Sequence, residues 1–270
     1  MNSSKVPKPE LSRTEHRAFF GRISGKRLHG AQMQLFDSLL PRLNVELPEG
    51  GQFEVGELFG RPNHKKIMEI GYGGGEHLAR LAQENPDDDF IGCEVFTGGI
   101  GKILKTIDRE NISNISLFTE DAYLLLKALP DASVDSCYLL YPDPWPKLRH
   151  NKRRFISAIT LKELARVIIP GGKFYFATDI EDYANWTLAH MLRQPHFEWK
   201  TSSKPQFWHI PFAGWQPTRY EAKARREGRE KSFYFSFERC QKKCSYGFLF
   251  RQRDQIKTLK RCQKKYSYGF

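Results

Sequence analysis

Past residue 65 the chain alternates between short apolar runs and longer stretches whose apolar positions recur every three to four residues. The runs at 67–70, 90–94, 115–119, 134–141 and 173–178 are four to eight residues long, the length of buried strands. The stretches 76–85, 97–109, 122–129, 155–168 and 182–192 have the spacing of amphipathic helices, the fourth closed by Pro170-Gly171-Gly172. Strands separated by helices predict a parallel sheet with helices on both faces. Two later runs, 197–201 and 231–237, read as strands joined by a long loop, a hairpin that adds an antiparallel strand at the end of the sheet. The expected fold is α/β: a doubly wound, mostly parallel, seven-stranded sheet whose last strand is antiparallel. Upstream, 31–43 reads as an amphipathic helix stopped near Pro41, and 47–63, rich in Gly, Pro and acids, as a connecting loop.

Three parts follow: a basic N-terminal arm and helical lead-in over 1–62, the alternating domain over 63–238, and a basic extension over 239–270. The extension carries RCQKKCSYGF at 239–248 and again RCQKKYSYGF at 261–270. Two copies are too few for a solenoid, so it reads as mobile, with RNA contact as the alternative.

Composition narrows the classes. No apolar run approaches the roughly 20 residues of a bilayer-spanning helix, and the N-terminus lacks an apolar signal core, so a cytoplasmic protein is expected. Five cysteines without a C-x-x-C pair indicate neither a disulfide framework nor a zinc site, and no metal is expected. The formal charge of +12 is unevenly spread. Residues 239–270 hold ten basic residues and one acid, a net +9, which leaves +3 for residues 1–238. Local clusters must therefore carry any argument for nucleic-acid binding. One such cluster is the arm with Arg13, Arg17, Arg22, Lys26 and Arg27, either a disordered tail or a segment that orders on RNA.

Candidate chemistry sits at successive strand ends, where open α/β sheets bind ligands. After the first strand comes EIGYGGG, residues 69–75, with Gly71, Gly73 and Gly75 spaced as G-x-G-x-G. Glycines there permit a tight turn and close approach to a ligand. The dinucleotide pattern wants a further glycine at 76, where this chain has Glu, and a carboxylate disfavours a pyrophosphate at the helix start. A ligand with a sulfonium and an amino group fits better, namely S-adenosylmethionine. Glu94 ends the second strand and can accept from ribose hydroxyls; its plainer reading is a solvated strand end. Asp121 follows the third and can accept from an adenine amino group; its plainer reading is a helix N-cap.

The fourth strand runs into YPDPWPKLRHNKRR, residues 141–154. Asp143 and Trp145 stand in a proline-stiffened turn, followed by Lys147, Arg149, His150, Lys152, Arg153 and Arg154. Cations at a helix start oppose the macrodipole, which points to an anionic partner. A purine N7 acceptor has a lone pair and no proton to lose. Asp143 then serves to position it and to stabilise the growing positive charge, not to abstract a proton. Trp145 stacks on a base or walls the pocket. Asp179 at the fifth strand end and TRYEAK at 218–223, followed by Arg225, Arg226 and Arg229, extend the same region. An enzyme acting on an exocyclic base amine, and a non-catalytic RNA-binding protein, remain open on these residues alone.

EIGYGGG, FIGCEV, EDA, YPDPWPKLRHNKRR, ATD and TRYEAK, in this order and spacing, resemble the bacterial tRNA (guanine-N7-)-methyltransferases. The resemblance runs from the basic arm to about Phe237. It implies a class I, Rossmann-like, S-adenosylmethionine-dependent methyltransferase acting at N7 of a guanosine in the tRNA variable loop. It assigns Glu69, Glu94, Asp121 and Asp143 to the cofactor and makes Asp143 catalytic. It assigns Lys147, Asp179, Thr218, Arg219, Tyr220 and Glu221 to the substrate, and Arg149, His150, Asn151, Lys152, Arg153 and Arg154 to RNA contact. Two departures stand out: the extension from Arg239, and Ala224 where the family pattern has glycine.

Overall fold

The structure is a computed structural model that describes residues 20–25, 28, 30–48, 60–61, 63–202, 204–229 and 231–241. The expected contributions of Arg13, Arg17, Lys26 and Arg27, and nearly all of the repeated extension, lie outside these residues. The strands are β1 (Lys66–Ile70), β2 (Asp89–Cys93), β3 (Ile115–Phe118), β4 (Val134–Leu140), β5 (Ile168–Thr178), β6 (Phe197–Trp199) and β7 (Phe233–Arg239). The helices are α1 (Gly30–Ser38), α2 (Leu40–Leu43), α3 (Glu76–Glu84), α4 (Thr97–Glu110), α5 (Ala122–Ala128), α6 (Ala158–Val167), α7 (Glu181–Met191) and α8 (Arg219–Arg226). One sheet has the order β3-β2-β1-β4-β5-β7-β6. The first five strands run parallel, and β7 is antiparallel to both neighbours.

Strand alternation sends residues to two cores. Met68, Ile70, Ile91, Cys93, Leu139 and Phe176 face α5, α6 and α7. Phe90 and Leu117 face α3 and α4, where Leu35, Phe36 and Leu40 of the lead-in also pack. Apolar burial on both faces is what makes these strands read as continuous runs. The strand order reverses direction between β1 and β4, so the loops after them diverge and open a crevice at their carboxyl ends.

Four details differ from the sequence reading. The helix expected over 155–168 begins only at Ala158, behind a capping box in which Ser157 and Thr160 exchange bonds. The cations of 147–153 therefore do not oppose its dipole; they form a separate 3-10 turn, Leu148–Arg153. β5 starts at Ile168, ahead of Pro170-Gly171-Gly172, because Ile168 pairs with Val134 before the register shifts; tertiary pairing overrides the local breakers. Finally, β7 is not at the end of the sheet. It inserts between β5 and β6, leaving short β6 as the edge. Among the described residues no helix is long and apolar enough to cross a membrane.

Candidate functional site

β1 ends at Ile70 and the chain turns through glycines 71, 73 and 75, all at positive φ (+72°, +58° and +79°). This left-handed region favours glycine. A Cβ at Gly71 or Gly73 would meet no protein atom within 4 Å. Both residues line a cavity of about 390 Å3, a size suited to a small-molecule cofactor. α4 presses on the loop from the other side, where a Cβ on Gly99 would collide with the Gly73 carbonyl oxygen. Gly75 does not line the cavity; it is the N-cap of α3 and faces Ile103.

Glu94, one residue past β2, lines the same cavity. Its carboxylate accepts from the backbone N–H of Gly73 at 2.9 Å, and from those of Val95 and Phe96, each at 2.9 Å. It thus ties the glycine loop to the start of α4. Burial pushes its pKa up, the three N–H donors pull it down, and the nearby Asp143 charge pushes it up again. Asp121 also lines the cavity and caps α5, accepting from the Tyr123 N–H at 3.0 Å. The N-cap and the cavity-lining role are therefore one placement. Glu69 is the outlier of the expected cofactor set. Its side chain is buried against α3, with Oε2 2.8 Å from His77 Nδ1, and does not line the cavity. Strand alternation explains this: Ile70 faces the cavity side and Glu69 the opposite one.

The loop after β4 forms the facing wall. Tyr141 and Trp145 adopt positive φ (+50° and +42°) although neither is glycine. Such backbones cost about 1–3 kcal/mol each and persist where the surroundings over-determine them. Here the Tyr141 hydroxyl donates to Ser232 Oγ at 3.0 Å and lies 3.3 Å from the Tyr234 hydroxyl, while its ring lies 5.2 Å from that of Tyr220. Between them Asp143 stands at the cavity mouth, its side chain reaching solvent, yet partial burial raises its pKa from the ordinary 3.8. Trp145 lines the cavity with the Arg153 guanidinium 4.9 Å from its ring centroid, a cation–π distance.

The basic run divides. Lys147, Arg149 and Lys152 are exposed, and His150 is half-buried with its pKa lowered by desolvation and then by the cations around it. Arg153 is half-buried at the cavity wall. Asn151 and Arg154 turn inward and are not presented to a partner. Arg154 donates to the Pro144 carbonyl at 2.8 Å and to Asp182 at 2.6 Å, with its guanidinium 4.9 Å from the Tyr183 ring centroid. It fastens the proline-rich loop to α7.

The remaining substrate candidates gather around α8. Thr218 caps it, accepting from the Glu221 N–H at 3.1 Å. Tyr220 lines the cavity, and Arg219 is exposed. Glu221 is 1% exposed and accepts from Tyr234 Oη at 2.9 Å, Trp215 Nε1 at 3.0 Å and Arg225 at 2.5 Å. Asp179 accepts from Arg229 Nε at 2.5 Å. Glu221 and Asp179 thus bolt α8 and its C-terminal turn to the sheet. Sequence reasoning missed Phe20, Arg22, Phe96, Tyr141 and Phe155 as cavity walls. Tyr141 was part of the quoted motif, but its left-handed backbone has no sequence signal. Phe20 and Arg22 arrive because the Thr97 N–H donates to the Ile23 carbonyl.

A cavity with glycine walls and the carboxylates Glu94, Asp121 and Asp143 suits a cationic ligand rich in hydroxyl and amino donors, and S-adenosylmethionine is one. The family model described as "Putative methyltransferase" matches residues 63–234. A tRNA (guanine-N(7)-)-methyltransferase of Rhizobium meliloti (strain 1021) is 50% identical over 222 residues, covering 82% of this chain and 95% of that protein. Proteins of the same name from Agrobacterium fabrum and Brucella melitensis biotype 1 are 47% and 48% identical, each over 82% of this chain and over 95% and 94% of their own lengths.

Proposed function

The chain belongs to the tRNA (guanine-N(7)-)-methyltransferase family, and from that premise we propose that its cavity seats the transfer of a methyl group from S-adenosylmethionine to N7 of a guanosine in the variable loop of tRNA. The observation that carries the reading is the convergence of Gly71, Gly73, Glu94, Asp121 and Asp143, from the ends of four neighbouring strands, on one cavity. S-adenosylmethionine supplies an electrophilic methyl group on a cationic sulfonium. Gly71 and Gly73 leave room for it, and Glu94 and Asp121 offer carboxylate acceptors for its hydroxyl and amino groups. Glu69 supports the loop from behind through His77.

Guanine N7 has no proton to surrender, so the reaction needs no general base. The purine becomes cationic as the new bond forms. Asp143, held at the mouth by a stiff loop, stabilises that charge without reorganising. Trp145 and Tyr220 give the base flat surfaces, and Lys147, Arg149, Lys152 and Arg153 meet phosphates. Asp179, Thr218 and Glu221 serve the substrate by fixing α8 and hence Tyr220. A tRNA substrate implies work in the cytoplasm.

The test is methyl transfer from labelled cofactor to unmodified tRNA, followed by borohydride and aniline, which cut RNA at N7-methylguanosine. A single cut in the variable loop is expected. Label without a cut would move the acceptor to an exocyclic amine, and absence of label would sink the enzymatic reading.

A further inference from the structure

α8 has two faces of different chemistry. Glu221 and Ala224, each 1% exposed, point to the sheet. On the opposite side Arg219, Lys223 and Arg226 recur at i, i+4 and i+7, within roughly a 60° arc of the helix surface. All three are exposed. The other cations of the segment are engaged at closer range: Arg225 with Glu221, and Arg229 with Asp179 and Glu227. Arg219 and Arg226 have no acidic partner among the described residues. Lys223 has one loose pair, 3.6 Å from the exposed Glu227, and such pairs contribute little.

The stripe begins at the cavity. Tyr220, next to Arg219, is part of its wall, as are Trp145 and Arg153 of the basic turn. Each of the two cationic elements thus contributes a residue to the cavity wall, Tyr220 from α8 and Arg153 from the basic turn. Seven residues of helix span about 10 Å, long enough to meet more than one phosphate.

We propose that the outer face of α8, Arg219, Lys223 and Arg226, is a second phosphate-binding strip that grips the tRNA backbone independently of the basic turn. The strip rests on the reading of the cavity as the guanosine site. The two grips fix the direction in which the polynucleotide crosses the mouth, which a single cluster cannot do. The bolts at Glu221 and Asp179 acquire a purpose here, since a strip on a loose helix would not define a direction.

The experiment is tRNA binding by fluorescence anisotropy over a series of salt concentrations, with the full chain and unmodified tRNA. Each lost phosphate contact lowers the slope of log affinity against log salt by about 1. Lys223→Gln with Arg226→Gln is expected to lower it by about 2, and adding Arg219→Gln by about one more. Melting temperature and S-adenosylmethionine binding by calorimetry stay at the values of the parent protein. Lys162→Gln with Lys173→Gln, exposed cations on α6 and in β5, should leave the slope unchanged. An unaltered slope in the α8 variants, or an equal fall in the α6/β5 pair, overturns the strip while leaving the cavity reading intact. If the parent protein itself fails to bind tRNA, the cavity reading falls first and the strip with it.

Discussion

Arg153 and Arg154 are neighbours with opposite surroundings. Arg154 has no exposed side-chain surface and bridges the loop to Asp182; Arg153 lies on Trp145 at the cavity wall. Arg154→Gln removes the guanidinium that joins the loop to α7, with an expected loss of about 2 kcal/mol readable by denaturant unfolding. Arg153→Gln should leave unfolding unchanged and weaken tRNA binding. The charge run could not reveal this split, because the aromatic floor that receives Arg154 comes from Tyr183 and Trp186, about thirty positions later in the chain. The carboxylates were more legible. Glu94, Asp121 and Asp143 each follow a short apolar run, and strand ends of a parallel sheet converge. Asp143→Asn keeps the shape and removes the charge. We expect a fall in kcat of about 10²–10³-fold with the tRNA dissociation constant nearly unchanged; a variant that binds tRNA poorly but turns over normally at saturation would contradict the role.

Element boundaries follow from caps and pairing more than from propensity. Ser157 marks the true start of α6, and Ile168 leaves the helix because Val134 offers it a ladder. α8 falls within what reads from sequence as the long loop before the last strand, since its inner face carries Glu221, a charged residue whose burial depends on Trp215, Tyr234 and Arg225. Thr218→Ala removes the cap and should destabilise α8 by about 1 kcal/mol. Its first effect is a raised KM for tRNA, through loss of a fixed Tyr220, with S-adenosylmethionine binding preserved. Equal losses of both affinities would mean that α8 supports the whole cavity and not the substrate side.

For the whole molecule, pH acts on function and stability in opposite senses. Glu94 and Asp143 titrate above their ordinary 4.5 and 3.8 when folded. Protonation is then favoured by folding, so the stability these groups contribute is present below the ordinary values and is lost as pH rises through the raised ones. In the proposed reaction, cofactor binding and rate need the ionised forms and are expected to fall as pH drops through the same window. Glu94→Gln with Asp143→Asn should flatten the pH dependence of melting temperature there, measured against the parent protein. Sheet order adds a consequence for synthesis. β7 fills the space between β5 and β6 and carries Tyr234, just past Ser232, the two anchors of the Tyr141 hydroxyl. Until the ribosome has released residue 239, β5 keeps an open edge, a template for pairing with another chain, and the loop bearing Asp143 is held by Arg154 alone, without the Tyr141 anchors. The nascent chain thus emerges with its glycine loop early and the anchors of its Asp143 wall last. A chain ended at residue 228 is expected to aggregate and to transfer no methyl group, which sedimentation and the labelling assay would reveal.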